Sequence, residues 1–387
     1  MNILVFGCAD VRRIHAAPGR RDVVRSVALC AMLCLGVSIR ASAQGANPTL
    51  DQYLTSIGID AHQRATAARG RAVAKLIPTK DNRDVTVFGM IGVNVPGDTV
   101  VAHTLDIERF LGASGSQVHA FGNPPSPADV RDAAFDESEY RDLRNCRRGS
   151  CKFKLSASAM KEFVEEVDWS SRDAKAQADE RLRGGLLRLV TDYSSRGNAA
   201  MVTYDDVRGA RSGDVFAVLL AQSTDLYEYA PGLQQYFADY PTELPDGARH
   251  FLYWSEDRLA RLRPTLTVNH VVVYTPPMRP GGAAFIARKQ IYANHYFEGA
   301  FELLAIVDAS AAAGEPGAYV LTVRRFRFDN LPGGLLNIRG RVRKQLVDAT
   351  RADLERQRSS MQQASSHGMF VRKRPTRRVS PPVASSR

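Results

Sequence analysis

Residues Thr265–Thr275 read TLTVNHVVVYT. β-Branched residues crowd the stretch, no Gly or Pro interrupts it, and apolar side chains recur at alternate positions, so it predicts a strand. Leu266, Val268, Val272 and Tyr274 share one face, and His270 is that face's odd member. Further extended segments lie on both sides. Phe251-Leu252-Tyr253-Trp254 opens a strand upstream, and Tyr319–Phe328 (YVLTVRRFRF) follows the loop Gly314-Glu315-Pro316-Gly317. Phe285–Val307 between them reads either as one bent strand or as a hairpin around Glu298-Gly299. Several antiparallel strands with an apolar face need a cover, and an amphipathic helix is the available one.

That helix follows Pro332-Gly333-Gly334 and runs over about 335–360. Leu335, Ile338, Val342, Leu346 and Ala349 face one way, with Arg339, Arg343, Lys344, Arg351 and Arg356 largely elsewhere. Val85, Val87, Gly89, Ile91, Val93 and Val95 mark another strand, expected to be buried on one face only. Pro96-Gly97 ends it, and Asp98 caps a short helix through Val101, Leu105 and Phe110. Residues 50–78 carry a helical pattern through Tyr53, Ile57, Ala61, Ala68, Val73 and Ile77. Residues 156–245 are mostly helical and end in the aromatic run Tyr227, Tyr229, Tyr236, Phe237, Tyr240, a packing surface or a docking patch. The fold class is therefore α+β.

The stretch Val93–Phe110, VNVPGDTVVAHTLDIERF, resembles the first strand-to-helix passage of the START-like (SRPBCC) helix-grip superfamily. The later strands and the helix after Gly334 continue the likeness over about half the chain. The resemblance implies a curved antiparallel sheet gripping a long C-terminal helix, with an apolar cavity between them. The domain would span 85–361, with 156–245 as a large helical insertion and 44–84 as an N-terminal helical extension. The chain also resembles exported bacterial proteins of unknown function that carry a C-R-x-G-x-C element, here Cys146 to Cys151.

Export is legible at the N-terminus. Arg20, Arg21 and Arg25 precede the apolar run Val27–Ile39, and Ala41-Ser42-Ala43 fits a signal-peptidase site. The run is shorter than the ~20 residues a spanning helix needs. Residues 1–43 are therefore expected to be a signal peptide cleaved near Ala43, with a periplasmic or secreted, soluble product. The net charge of +11 follows the same division. Residues 1–43 hold +4 and the stretch 362–387 holds +6, from Arg372, Lys373, Arg374, Arg377, Arg378 and Arg387, which leaves +1 on the rest. A nearly balanced core gives no footprint for nucleic acid. The basic, Pro-containing end is expected to be a disordered tail, either meeting an anionic membrane surface or solvated without a partner.

After cleavage two cysteines remain, in CRRGSC, with Gly149 available to turn the chain. In an oxidising compartment Cys146 and Cys151 are expected to form a disulfide that delivers Lys152–Leu155 into a strand. No second cysteine pair or HxxxH spacing supports a metal site, and no cofactor motif is present. Ser158 and Lys161 have the spacing of a serine nucleophile and its lysine base. The third element of such enzymes is missing, so this match is set aside.

Two histidines interrupt apolar faces: His270, and His295 among Ile291, Ala293, Phe297 and Phe301. If those faces look into the grip, both imidazoles reach one enclosed space, with Tyr274, Phe297 and Trp254 as further ligand contacts. The plain alternative for each is a core histidine satisfied by a neighbour. The leading expectation is an exported, non-enzymatic carrier for an apolar or amphipathic small molecule or lipid. Two others stand beside it: an enzyme using His270 and His295 as an acid–base pair, and an envelope protein docking through the helical insertion.

Overall fold

A computed structural model of the chain describes residues 50–112, 117–206, 209–257, 263–277, 283–309, 317–332 and 337–366. The expected signal peptide, and the tail beyond Ser366, lie outside the described residues. In chain order come helices α1 (Leu50–Ser56) and α2 (Ala61–Ala68), strands β1 (Val73–Ile77) and β2 (Asp84–Val93), helices α3 (Gly97–Leu105) and α4 (Ile107–Gly112), and strand β3 (Gln117–Ala120). The middle holds α5 (Glu137–Leu143), α6 (Ala157–Glu166), α7 (Ala174–Arg196), a small hairpin β4 (Thr203–Tyr204) and β5 (Ala210–Arg211), then α8 (Ser212–Ala221), α9 (Thr224–Tyr229) and α10 (Pro231–Asp239). Strands β6 (Ala248–Asp257), β7 (Thr265–Tyr274), β8 (Ala284–Ala293), β9 (Phe297–Asp308) and β10 (Ala318–Phe328) follow, and α11 (Ile338–Ser366) closes the chain.

Eight strands form one curved, open antiparallel sheet in the order β1-β2-β10-β9-β8-β7-β6-β3. Consecutive strands β6 to β10 pair as a meander, and β2 joins its end by pairing with β10. The fold is the expected α+β, a sheet carrying a long C-terminal helix. Strand β2 departs from expectation in being buried at all ten positions. It is covered on both faces: Phe88 and Met90 pack with Leu54 and Ala67 of the N-terminal helices and Ile59 between them, while Ile91 and Val93 share a core with Leu354 and Met361 of α11. Gly89 lets that helix lie close, since a Cβ there would stand 2.8 Å from both the Leu354 and Thr350 side chains.

Period two along each strand sorts the remaining side chains onto two faces. Leu266, Val268 and Val272 of β7, with Ala287 and Ile291 of β8, join Leu186, Val190, Leu219 and Phe237 of the middle helices in one core. The 156–245 block therefore covers one face of the sheet, and α11 covers the other. Tyr229, Tyr236, Phe237 and Tyr240 of the aromatic run belong to this core. Tyr236, Phe237 and Tyr240 are buried, so they form a packing surface and offer no exposed docking patch.

Several boundaries differ from the sequence reading, each for a local reason. Residues 50–78 split into two helices and a strand. Asp60 caps α2 in a reciprocal capping box with Gln63, and Gly70, at φ 75°, turns the chain before Val73 and Ile77 pair with β2. Residues 285–308 are a hairpin, and its turn lies at Asn294–Tyr296, earlier than Glu298-Gly299, with Tyr296 at φ 61°. Helix α11 runs on to Ser366 because Met361 and Ala364 are both buried, so the segment expected as tail from 362 begins inside the helix.

Cys146 and Cys151 are joined in a disulfide across the turn that Gly149 makes at φ 77°. A loop this short gains only ~2 kcal/mol from cross-linking. Lys152–Leu155 is a connection and not a strand, with Phe153, Lys154 and Leu155 buried and Lys152 exposed. Lys154 N–H donates to the Asn294 carbonyl at 2.9 Å, and Leu155 accepts from Asp205 N–H at 2.8 Å. Among the described residues no helix is long and apolar enough to cross a membrane.

Candidate functional site

The side of the sheet facing α11 carries a cavity of about 220 Å³. It is built from the positions of β7 to β10 opposite in parity to the apolar face. Thr267 and Asn269 come from β7, Arg288 and Gln290 from β8, Glu302 from β9 and Arg324 from β10. Leu346, Asp353 and Gln357 of α11, with Ile107 and Phe110 of α4, complete the wall.

Strand register fixes its charges. Glu302 pairs with Arg288 on one side and Arg324 on the other. Its carboxylate accepts from Arg324 Nε at 2.7 Å and from Thr322 Oγ1 at 2.9 Å, and meets Arg288 Nη2 at 2.5 Å. Arg324 also donates to Asp353 Oδ2 at 2.7 Å, and Arg288 to the Tyr253 hydroxyl at 3.0 Å. Burial by itself would raise the Glu302 carboxyl. The two guanidiniums, with the hydrogen bonds from Arg324 and Thr322, outweigh it and hold the group at about 2. Burial pulls both arginines down, yet Glu302 more than reverses this, joined by Asp353 at Arg324, and both end above their ordinary value. This wall is a closed ionic chain.

Beside it lie neutral amides with unused hydrogen-bonding capacity. The buried Gln290 side chain has no hydrogen-bond partner among the described residues, and Asn269 donates to Thr267 Oγ1 at 2.9 Å. Gln357 is 8% exposed, and its Oε1 is buried with no partner. A buried acceptor left unmatched costs ~1–3 kcal/mol, so such atoms ask for an explanation, and a ligand supplies one.

Of the ligand contacts expected from the sequence, Phe297 lines this cavity, as does Phe301 from the same strand. The others lie elsewhere. His270 faces the helical block, where Nδ1 meets the Tyr193 hydroxyl at 2.9 Å and Nε2 meets His250 Nδ1 at 3.1 Å. His295 lies in the β8–β9 turn, with Nε2 3.2 Å from Glu139 Oε1 and Nδ1 3.1 Å from the Lys152 carbonyl oxygen. His270 sits opposite Lys289 on β8, and the four residues from there to Ala293 alone span ~13 Å. The two imidazoles therefore share no site, and no acid–base pair forms between them. Trp254 donates Nε1–H to the Asp129 carbonyl at 2.8 Å and stacks on His119, on the helical-block face. Tyr274 stacks on Phe285 at the end of β7, outside the cavity.

Periodicity in the sequence passed over Lys289. Its ammonium group is fully buried, donates to the Tyr193 hydroxyl at 3.1 Å and to Asn198 Oδ1, and lies 4.1 Å from the Phe216 ring centroid. No carboxylate pairs with it among the described residues. Tyr193, His270 and His250 link it by hydrogen bonds to the surface, where His250 is exposed. Burial holds the Lys289 amine well below the ordinary lysine range. Burial first, then the Lys289 charge, does the same to His270.

The sign follows. Between the folded value and the ordinary ~10.4 the unfolded chain binds more protons at this site, so stability rises with pH through that window. Lys289→Met removes the dependence. The variant is expected to be more stable than the parent at neutral pH by ~1 kcal/mol or more, an advantage that shrinks to nothing above about pH 10.5. Urea denaturation at a series of pH values checks it. A pH-independent difference between the two proteins would show that Lys289 keeps its charge in the fold.

Comparison of the chain with protein-family models, with curated proteins and with solved structures finds no match.

Proposed function

We propose that this protein binds a small amphipathic molecule between the sheet and α11, as a carrier or binding protein. The observation that carries the reading is the cavity itself, where the Gln290 side chain has no hydrogen-bond partner among the described residues and the buried Gln357 Oε1 is likewise unmatched there. Concave sites with apolar walls and a few placed polar groups are the usual form of small-molecule pockets. At about 220 Å³ the space lies below the ~300 Å³ typical of drug-sized sites, so it suits a compact molecule better than a whole lipid.

The START-like resemblance belongs to the same reading, since it too implies a ligand held between sheet and C-terminal helix. Work outside the cytosol is part of the proposal, on the strength of the leader-like residues 1–43 and the paired Cys146 and Cys151. Contact of the basic C-terminal segment with an anionic membrane surface rests on its composition alone.

Native mass spectrometry of protein purified without denaturants tests the reading. A bound compound is expected on the parent, with occupancy reduced about tenfold by Ala349→Trp, which places an indole in the cavity. An Ala349→Trp variant that melts cooperatively and still carries the full adduct would place the ligand elsewhere.

A further inference from the structure

We infer that the sheet–helix cavity selects a net-neutral ligand, an uncharged head that both donates and accepts hydrogen bonds, of carboxamide type, on an apolar body of about one ring. The inference rests on the proposed binding role and names its ligand class. Charge is the first argument. Glu302 is held between Arg288 and Arg324, and Asp353 between Arg324 and Arg356. With Asp257, which also lines the cavity, acts on Arg288 and accepts from the Ser255 and Thr267 hydroxyls, three acids stand against three bases and the charges of the wall balance. An anionic head could gain an arginine only by displacing Glu302 or Asp353, and a cationic head could gain an acid only by displacing an arginine. Either exchange leaves a charge enclosed without its partner, which is the most costly outcome in a low-dielectric site.

The unused capacity is the second argument, and it is entirely uncharged. Gln290 offers an amide with both donor and acceptor free, Gln357 offers an acceptor, and Asn269 offers what remains after its bond to Thr267. A planar amide or its equivalent matches such groups, because Gln290 calls for a partner that donates as well as accepts and Gln357 Oε1 calls for a donor. Sites built on buried polar groups discriminate strongly against ligands that leave those groups unpaired.

Size and wall chemistry supply the third. Phe110 and Ile107 approach from α4, Phe297 and Phe326 from the sheet. An apolar cavity of ~150 Å³ accepts benzene, so the present space accommodates a ring together with a small head.

Three probes share one ring and differ in the charge of the head: benzamide, benzoate and benzamidinium. Toluene supplies the ring alone. Each is titrated into the full chain by calorimetry and by ligand-observed NMR. Benzamide is expected to bind about tenfold or more tightly than the two ions, one bidentate amide contact sufficing for that ratio. Gln290→Leu and, separately, Gln357→Leu are expected to bring benzamide to the level of toluene, so that one misfolded variant does not decide the matter. Ala349→Trp is expected to abolish binding of benzamide and toluene alike. Benzoate or benzamidinium binding as tightly as benzamide overturns the neutral-head inference while leaving the cavity a binding site. Toluene equal to benzamide on the parent overturns the amide head in the same way. No binding by any of the four, or benzamide binding that survives Ala349→Trp, overturns the cavity reading and this inference with it.

Discussion

Replacing Glu302 with alanine is expected to destabilise the protein by ~3–5 kcal/mol, among the largest effects available to one substitution here. The side chain holds two guanidiniums that approach from adjacent strands, and nothing else beside it replaces the lost charge. Arg324 would keep Asp353, but Arg288 would keep the neutral Tyr253 hydroxyl as its hydrogen-bond partner and only the charge of Asp257 beside it. Glu302→Gln preserves shape and one acceptor, so it is expected to lose less. The double change Glu302→Leu with Arg288→Met removes both ends of the pair and is expected to recover part of the loss. Chemical denaturation of the parent, Glu302→Leu, Arg288→Met and the double variant measures the cycle, and Glu302→Ala and Glu302→Gln are compared with the same parent. The pH dependence supplies an independent check. A carboxyl held at about 2 when folded and near ~4.3 when unfolded contributes stability that is complete above the unfolded value. That contribution is lost as pH falls from there through 2, and the alanine variant lacks this component of acid sensitivity. A loss below ~1 kcal/mol for Glu302→Ala would mean that solvent in the cavity already screens the pair.

The sheet was readable because its strands obey simple rules. TLTVNHVVVYT, YVLTVRRFRF and the alternation from Val85 to Val95 each correspond to an observed strand, and the helix after Gly334 is present. What failed to show was anything set by partners remote in sequence. Alternation suggested a half-exposed β2, and only the arrival of α1 and α2 on its second face buries it completely. The turn between β8 and β9 was hidden because it uses Tyr296 in a left-handed conformation and no glycine. The end of α11 was misplaced because Gln362 to Ser366 look like tail, although Ala364 is buried.

The candidate site was missed for a more instructive reason. Strand periodicity separates two faces without saying which one looks into a cavity. The apolar face of β7 was assigned to the grip, taking His270 with it. The structure turns that face to the helical block, a core of the size such a stripe requires. The cavity took the more polar parity, with Thr267, Asn269, Arg288, Gln290 and Glu302. A signal did exist. Arg288, Gln290, Glu302 and Arg324 sit within segments that otherwise read as strongly apolar strands, at alternate positions, and charged residues there need partners on the next strand. Register, which sequence alone does not supply, is what places Glu302 between two arginines.

Phe301→Ala is expected to match Glu302→Ala in size, at ~3–5 kcal/mol, and to act on the opposite face of the same strand. Phe301 is 1% exposed and meets Phe216 of α8 edge-on at 5.8 Å and Phe237 of α10 at 5.6 Å. Truncation leaves a void where two helices of the 156–245 block contact the sheet, and an interior this well packed collapses only in part. Phe301→Leu is expected to cost much less, because most of the volume remains. The location of the loss separates two views of the helical block. If it is a cover bound to the sheet through this aromatic contact, hydrogen exchange in Phe301→Ala rises chiefly in α8 and α10, while α11 and the cavity keep their protection. Equal loss of protection in α8, α10 and α11 would instead make the two faces one cooperative unit. In that case the Lys289–Tyr193–His270–His250 chain, which lies in the same core, would couple to ligand binding through global stability alone.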